Sequence, residues 1–379
     1  MPVTAAVEER DERVPFTYEF RVPEGQRPER IDLWLAHLLP HASRTKVQRS
    51  IEAGCIRVNG RVPKSSYRVR PGDYITCTVY RLPPIELVPE PLSLEIAYED
   101  EYLMVLNKPA GTPTHPGLGH RRGTVVNAVL YHLGLREPVR VEAELDGEED
   151  EGAIFASDAV RPGIVHRLDK DTSGLLLVTK DSALHARLAE QFARRQIQRE
   201  YWAIVWGQMP EQHGIVDAPI GRSPHNRKAF AVLPSGKPAR TEYWVLEEYP
   251  VASLIRLRLH TGRTHQIRVH CAWLGHPVLG DVVYGGSSMR VTPPNPLWRR
   301  CAQRCLELLT RQALHARTLG FFHPISHRWI ECEAPLPADM EAVWMELRAT
   351  AQELGLQSLE DLPQSALPGG VFRPAVRCR

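Results

Sequence analysis

The strongest constraint on this chain lies between Gly163 and Lys180. Two short apolar runs, Gly163-Ile164-Val165 and Leu175-Leu176-Leu177-Val178, bracket the polar stretch Arg167-Leu168-Asp169-Lys170-Asp171-Thr172-Ser173. Apolar runs this short, separated by polar and Gly residues, read as buried strands joined by a loop, which puts Asp169 at a strand end facing a cleft. Arg167 and Lys170 flank it. A carboxylate beside fixed cations stays ionised, and in a partly dry cleft it can serve as nucleophile or base toward an electrophilic carbon. Taken alone, the turn favours a blander reading, in which the Asp caps a helix or ties down the local backbone.

Two further blocks decide between these readings. The first is Leu103-Met104-Val105-Leu106-Asn107-Lys108-Pro109-Ala110-Gly111, followed by Thr114-His115-Pro116-Gly117. The second is Leu259-His260-Thr261-Gly262-Arg263-Thr264-His265-Gln266-Ile267-Arg268-Val269-His270, running on to Gly280-Asp281. The three blocks, in this order across residues 96 to 335, resemble the motifs of the RluA-type pseudouridine synthases, which convert uridine to pseudouridine in structured RNA. The catalytic region itself alternates strand-like runs (Leu175 to Val178, Tyr243 to Leu246, Ile255 to Leu259) with a few helical ones such as Ala183 to Arg194, an α+β pattern with a mainly antiparallel sheet. The resemblance sharpens this to a long mixed sheet flanked by helices, with the cleft across its middle.

The resemblance also implies roles. Asp169 is the catalytic carboxylate, acting on a flipped-out nucleotide either by adding to a sugar or base carbon or by removing a sugar proton. Arg268 is its pairing arginine and Tyr201, in the strand-like run Arg199 to Val205, holds the uracil as it turns. Spacing alone would make Tyr201 a core residue and Arg268 a structural ion pair. Flipping a base costs a few kcal/mol that other contacts offset, and the flat guanidinium of Arg167 suits the vacancy left in the stack. Lys108, Arg263, His265 and Gln266 are expected to contact phosphate or to scaffold the motifs, and His166 to be a packed, hydrogen-bonded histidine. The reaction has no redox step, and the absence of a Gly-rich dinucleotide fingerprint or a metal-ligand cluster fits an enzyme without cofactor or metal.

Composition sets outer bounds. At 379 residues the chain can hold a main domain plus one or two smaller units. Seven irregularly placed cysteines argue for a reducing compartment and against a disulfide framework. Cys301 and Cys305 can meet on one helix face but have no nearby Cys/His pair to complete a zinc site. Without a membrane-length apolar run, and with Glu8, Glu9, Asp11 and Glu12 where a basic leader would be needed, the expectation is a cytoplasmic, monomeric protein without membrane contact. The net charge of +2 hides a segregated distribution. Residues 15–80 carry 11 Lys+Arg against 6 Asp+Glu, and residues 161–275 carry 17 against 10, while Glu142 to Glu151 is acidic. Local basic patches set the field that an RNA phosphate meets.

Along the chain, residues 1–14 read as a disordered tail. Ile31, Trp34, Leu35, Leu38 and Leu39 follow helical spacing, ended by Pro40. Ser43 is a candidate N-cap for a second helix bearing Val47 and Ile51, stopped by Gly54. Short strands follow, with turns at Asn59-Gly60 and Pro71-Gly72-Asp73. Residues 15–81 resemble an αL-type, ribosomal-protein-like RNA-binding domain, in which Arg44, Lys46 and Arg49 would grip phosphates without reading sequence; the alternative is an ordinary solvated helix face. Residues 82–95 form a Pro-rich, semi-rigid linker. The catalytic domain spans 96–349, with insertions at about 140–160 and 286–312, the latter with a helix through Leu306, Leu308, Leu309 and Leu314. Residues 350–379 read as a frayed tail.

The favoured substrate is large-subunit ribosomal RNA, with transfer RNA the alternative. A non-catalytic RNA-binding or ribosome-assembly factor on the same fold would leave uridine unchanged. A methyltransferase with the same RNA-binding module would need a methyl-donor pocket, for which no Gly-rich loop is present.

Overall fold

The computed structural model describes residues 14–39, 44–81, 85–116, 120, 122–141, 163–180, 182–226, 229–356 and 377–378. The expected N-terminal tail up to residue 13, Ser43, and the acidic stretch from residue 142 to 162 lie outside these residues. The chain folds as two compact units, one from residues 1–88, 116–122 and 136–161, the other from 89–115, 123–135 and 162–379.

In chain order the first elements are β1 (Val14–Arg21), α1 (Ile31–Leu38), α2 (Arg44–Glu52), β2 (Ile56–Val58), β3 (Tyr74–Arg81), β4 (Ile85–Leu87), β5 (Ile96–Glu99) and β6 (Leu103–Lys108). They are followed by α3 (Val125–His132), β7 (Val139–Val141), β8 (Ser173–Thr179), α4 (Ser182–Ala193), β9 (Gln198–Trp206), β10 (His213–Asp217), β11 (Ile220–Arg222) and β12 (Phe230–Val232). The last are β13 (Arg240–Glu248), β14 (Ala252–Leu259), α5 (Gln266–Trp273), α6 (Pro296–Leu308), β15 (Leu314–Phe322), β16 (Trp329–Glu333), α7 (Ala338–Glu353) and β17 (Arg377–Cys378).

In the smaller unit, Ile31, Trp34 and Leu35 of α1 and Val47 and Ile51 of α2 pack on Ile56 and Ile75 of an antiparallel sheet ordered β1-β3-β2. The fully buried Asp32 joins the helices by accepting from Arg30 (3.0 and 2.9 Å), Arg44 (3.0 Å) and Gln48. Burial opposes its charge, but the Arg30 bonds prevail and hold the carboxyl well below the usual carboxylate range. Strand β1 was not foreseen, although Phe16, Tyr18 and Phe20 alternate with polar residues. The Pro-rich linker also contains β4, which pairs with β7 at the edge of the acidic stretch.

The larger unit is built on a ten-stranded sheet ordered β10-β13-β14-β9-β15-β8-β6-β5, with β16 also on β15 and β17 on β16. All of its pairs are antiparallel except β8 with β15. This is the α+β architecture expected. All seven residues of β8 are buried, which explains the continuous apolar run Leu175 to Val178 at its centre. The first apolar run is not a strand. Ile164 makes a single bridge to Val178, so the segment doubles back on β8.

Three further expectations are corrected. The helix expected within 286–312 is α6, but Leu314 opens strand β15, because it pairs with Ala203 of β9 while Ala313 accepts from the Ile204 amide and donates to the Leu279 carbonyl. The tail beyond 350 is not uniformly frayed, since α7 continues to Glu353 and Arg377–Cys378 pair with β16. Against the expectation from the odd cysteine count, Cys332 and Cys378 form a disulfide across 46 residues; they are register partners on β16 and β17, an adjacency made only by the fold.

Candidate active site

The Asp169 loop enters β8 through Gly174, whose φ is +110° and where a Cβ would lie 2.2 Å from the Ala316 carbonyl oxygen. Only glycine permits this close parallel approach to β15. The loop carbonyls are tied down one by one. Thr114 Oγ1 donates to the Leu168 carbonyl (2.8 Å), the Gly111 amide (3.0 Å) and Lys108 Nζ (2.9 Å) donate to that of Lys170, and Arg311 Nη1 donates to that of Asp171 (3.0 Å). The first motif is therefore the bracket of the acidic loop.

Of the two roles expected of Lys108, phosphate contact or scaffold of the motif, its surroundings match the second. It is 2 % exposed and gives its remaining hydrogens to the Pro109 and Thr112 carbonyls, so it faces backbone and not phosphate. Burial pushes its ammonium down to about 7, against the pull of Asp169 and Asp171. Gln266 is likewise internal. Its amide donates to the Arg240 carbonyl and Thr241 Oγ1, and its oxygen accepts from Thr261 Oγ1 and the Arg263 amide.

Asp169, whose side chain is 21 % exposed, lines a cavity of about 440 Å³ together with Arg167, Phe192, Arg199, Tyr201 and His265. That volume lies within the roughly 300–1,000 Å³ range of small-molecule sites. Arg268 Nη1 donates to Asp169 Oδ2 at 2.9 Å. The same guanidinium gives Nε (2.7 Å) and Nη2 (3.0 Å) to the fully buried Asp281. Burial acts against the Arg268 charge, but the Asp281 bonds and the Asp169 charge outweigh it and raise its pKa. A planar fork suits two carboxylates at once. Asp281 also accepts from the Val283 (2.9 Å) and Tyr284 (3.1 Å) amides, so its position is set by backbone.

Tyr201 is 6 % exposed on β9, opposite Leu257 and Ala316, and burial pushes its phenol up. His166 accepts from the Leu177 amide at 2.8 Å and is lowered to about 3 by burial, which fits a packed neutral histidine. Arg263 lines the cavity and donates Nε to the Pro238 carbonyl. In the other unit, Arg49 is exposed, Arg44 is half exposed while bound to Asp32, and the Lys46 side chain lies outside the described residues.

Two residues of the site were missed in the sequence, Arg199 in the cavity wall and Tyr284 behind His265. Arg199 sits over the Phe192 ring (5.3 Å) with a buried Nε that has no hydrogen-bond partner among the described residues. Tyr284 lies three residues beyond the Gly280-Asp281 pair that closes the third motif. No composition signal marks either residue, because their roles depend on contacts with distant segments. Among the described residues, no group of three His, Cys, Asp or Glu side chains is placed to hold a metal ion, and no helix is long and apolar enough to cross a membrane.

Residues 102–273 match the RNA pseudouridylate synthase family and residues 29–75 match the S4 domain. An uncharacterized RNA pseudouridine synthase of Chlorobaculum parvum is 46 % identical over 86 % of this chain and 96 % of its own length. The ribosomal large subunit pseudouridine synthase D of Nitrosomonas europaea is 39 % identical over 93 % of this chain and 90 % of its own. Among solved structures, human RNA pseudouridylate synthase domain containing 4 aligns with a TM-score of 0.49 at 24 % identity, over 67 % of this chain and 93 % of its own. The chain belongs to the RluA family of RNA pseudouridine synthases, and is an isomerase with an S4 RNA-binding domain N-terminal to its catalytic region.

Proposed function

We propose that this enzyme isomerises uridine in large-subunit ribosomal RNA, with Asp169 acting on a nucleotide turned out of its helix into the 440 Å³ cavity. The observation that carries this reading is the Arg268 Nη1 to Asp169 Oδ2 bond of 2.9 Å, which holds a partly accessible carboxylate at the cavity wall. During the reaction the bond from C1′ to N1 of uracil breaks, the ring turns, C1′ joins C5, the C5 proton leaves and N1 takes up a proton, so that the product is an isomer of the substrate. Asp169 begins this by attacking a sugar or base carbon or by taking a sugar proton. Tyr201 gives the turning ring an aromatic wall, Arg167 stands at the mouth to replace the departed base, and the exposed Arg49 with Arg44 offers cations to phosphate. The ribosomal substrate is supported by relatives named as large-subunit synthases.

The test is tritium release from 5-tritiated uridine in fragments of ribosomal and transfer RNA. Ribosomal fragments should release tritium with the parent enzyme and not with Asp169→Asn. Release by Asp169→Asn at the parent rate would overturn the assignment of the carboxylate, and release only from transfer RNA would overturn the substrate.

A further inference from the structure

His265 occupies an unusual place at the entry to α5. It takes a left-handed conformation, φ +55°, that β-carbon-bearing residues seldom adopt. The turn aims its ring into the cavity, where Nε2 lies 3.8 Å from Asp169 Oδ2. That separation is too long for a hydrogen bond.

The other ring nitrogen is engaged. Tyr284 Oη lies 2.8 Å from His265 Nδ1 and also accepts the Phe230 amide hydrogen at 3.0 Å. Among the described residues Nδ1 is the acceptor available to the phenol hydrogen, and a bare Nε2 lone pair would face the Asp169 carboxylate 3.8 Å away, so the arrangement favours the phenol donating to Nδ1. Nδ1 is then the acceptor and the single proton of the neutral imidazole sits on Nε2. Burial lowers the imidazole pKa below its ordinary value and outweighs the attraction of Asp169, which keeps the ring neutral at pH 7. Tyr284 is itself held firmly, with its amide on Asp281 and the Arg268 guanidinium 5.0 Å over its ring. Among the described residues, the Nε2 hydrogen has no acceptor.

We propose that His265 is a further catalytic residue, whose Nε2–H donates a hydrogen bond to a uracil carbonyl oxygen of the everted nucleotide, in a tautomer set by Tyr284. The inference rests on the isomerase reading above. Each route open to Asp169 moves an electron pair onto the pyrimidine: cleavage of C1′–N1 leaves it on the ring, and attack on a ring carbon pushes it toward a carbonyl. The carbonyl oxygens carry the resulting charge. A fixed neutral donor beside them stabilises that charge without giving up its proton and without quenching the Asp169 carboxylate. Tyr284 is a positioning residue that acts through His265.

Two measurements test this. In the intact ¹⁵N-histidine-labelled protein, NMR should report a neutral imidazole protonated on Nε2, its signal assigned by disappearance in His265→Gln; Tyr284→Phe should mix the two tautomers. In single-turnover assays, His265→Leu should be slowed about 10²-fold, the scale of one lost donor to a developing oxyanion, with RNA affinity unchanged within about twofold. His265→Gln, which keeps an N–H near the Nε2 position, should recover most of that loss. A proton found on Nδ1, or a His265→Leu enzyme working at the parent rate, overturns the proposal. Failure of the parent enzyme to make pseudouridine would instead sink the underlying functional reading, and the NMR result would still decide the tautomer.

Discussion

Replacing Arg268 by lysine isolates what the guanidinium contributes beyond charge. Arg268 makes three charge-assisted bonds, one to Asp169 and two to Asp281, and is itself 5 % exposed. Lysine keeps the cation, but a single ammonium cannot span both carboxylates with the same geometry. Asp281, fully buried and fixed by two backbone amides, will draw the ammonium to its side and leave Asp169 unheld. At about 1.5–3 kcal/mol for each bond to a charged group, loss of one to two bonds destabilises by roughly 1.5–6 kcal/mol. For a unit of this size that lowers Tm by about 3–24 °C. The freed carboxylate drifts by about 1 Å, a misplacement worth about 10²-fold in rate. Single-turnover tritium release and thermal melting read the two effects separately. A lysine enzyme within about threefold of the parent rate and with unchanged melting would refute the two-carboxylate fork.

Other expectations follow from the same contacts. Because Asp281→Asn attacks the same network, its losses in rate and melting should fail to add to those of Arg268→Lys, and full additivity in the double variant would show the sites to be independent. His315, 1 % exposed, is lowered to about 3 by burial, so between pH 3 and 6.5 the unfolded chain binds the extra proton; its stabilisation is complete above about pH 6.5 and is lost on acidification, by about 2 kcal/mol at pH 5. Denaturant titrations at pH 7 and pH 5 should show a difference larger than this, because His166 is lowered as far, and His315→Asn, which keeps an acceptor toward Ser173, should remove only the His315 share of about 2 kcal/mol. Arg49→Ala should flatten the salt dependence of RNA binding by close to one phosphate contact, a slope change of about 0.7–0.9, whereas an unchanged slope would make it a merely solvated side chain. Unfolded without reductant, the chain should titrate five thiols, and after reduction seven; seven in both cases would exclude the Cys332–Cys378 bridge.

The sequence by itself determined the family, the position of the acidic loop and the class of the fold, because these are written in local order. A polar turn before an all-apolar strand, and the arginine of a third block, are legible wherever they occur. Helices α1, α2 and α4 were equally legible from their apolar spacing. Tertiary structure alone decided what each motif residue faces. Lys108 read as either a phosphate ligand or a scaffold of its motif until the fold brought three carbonyls to its ammonium. Asp281 became a second anchor for Arg268, and Tyr284 gained a hydrogen bond to His265, through contacts between segments 13 and 19 residues apart. Cys332 met Cys378 across 46 residues. Periodicity reports how a residue relates to its own helix or strand, while hydrogen bonding and charge pairing depend on distances that only the closed chain creates.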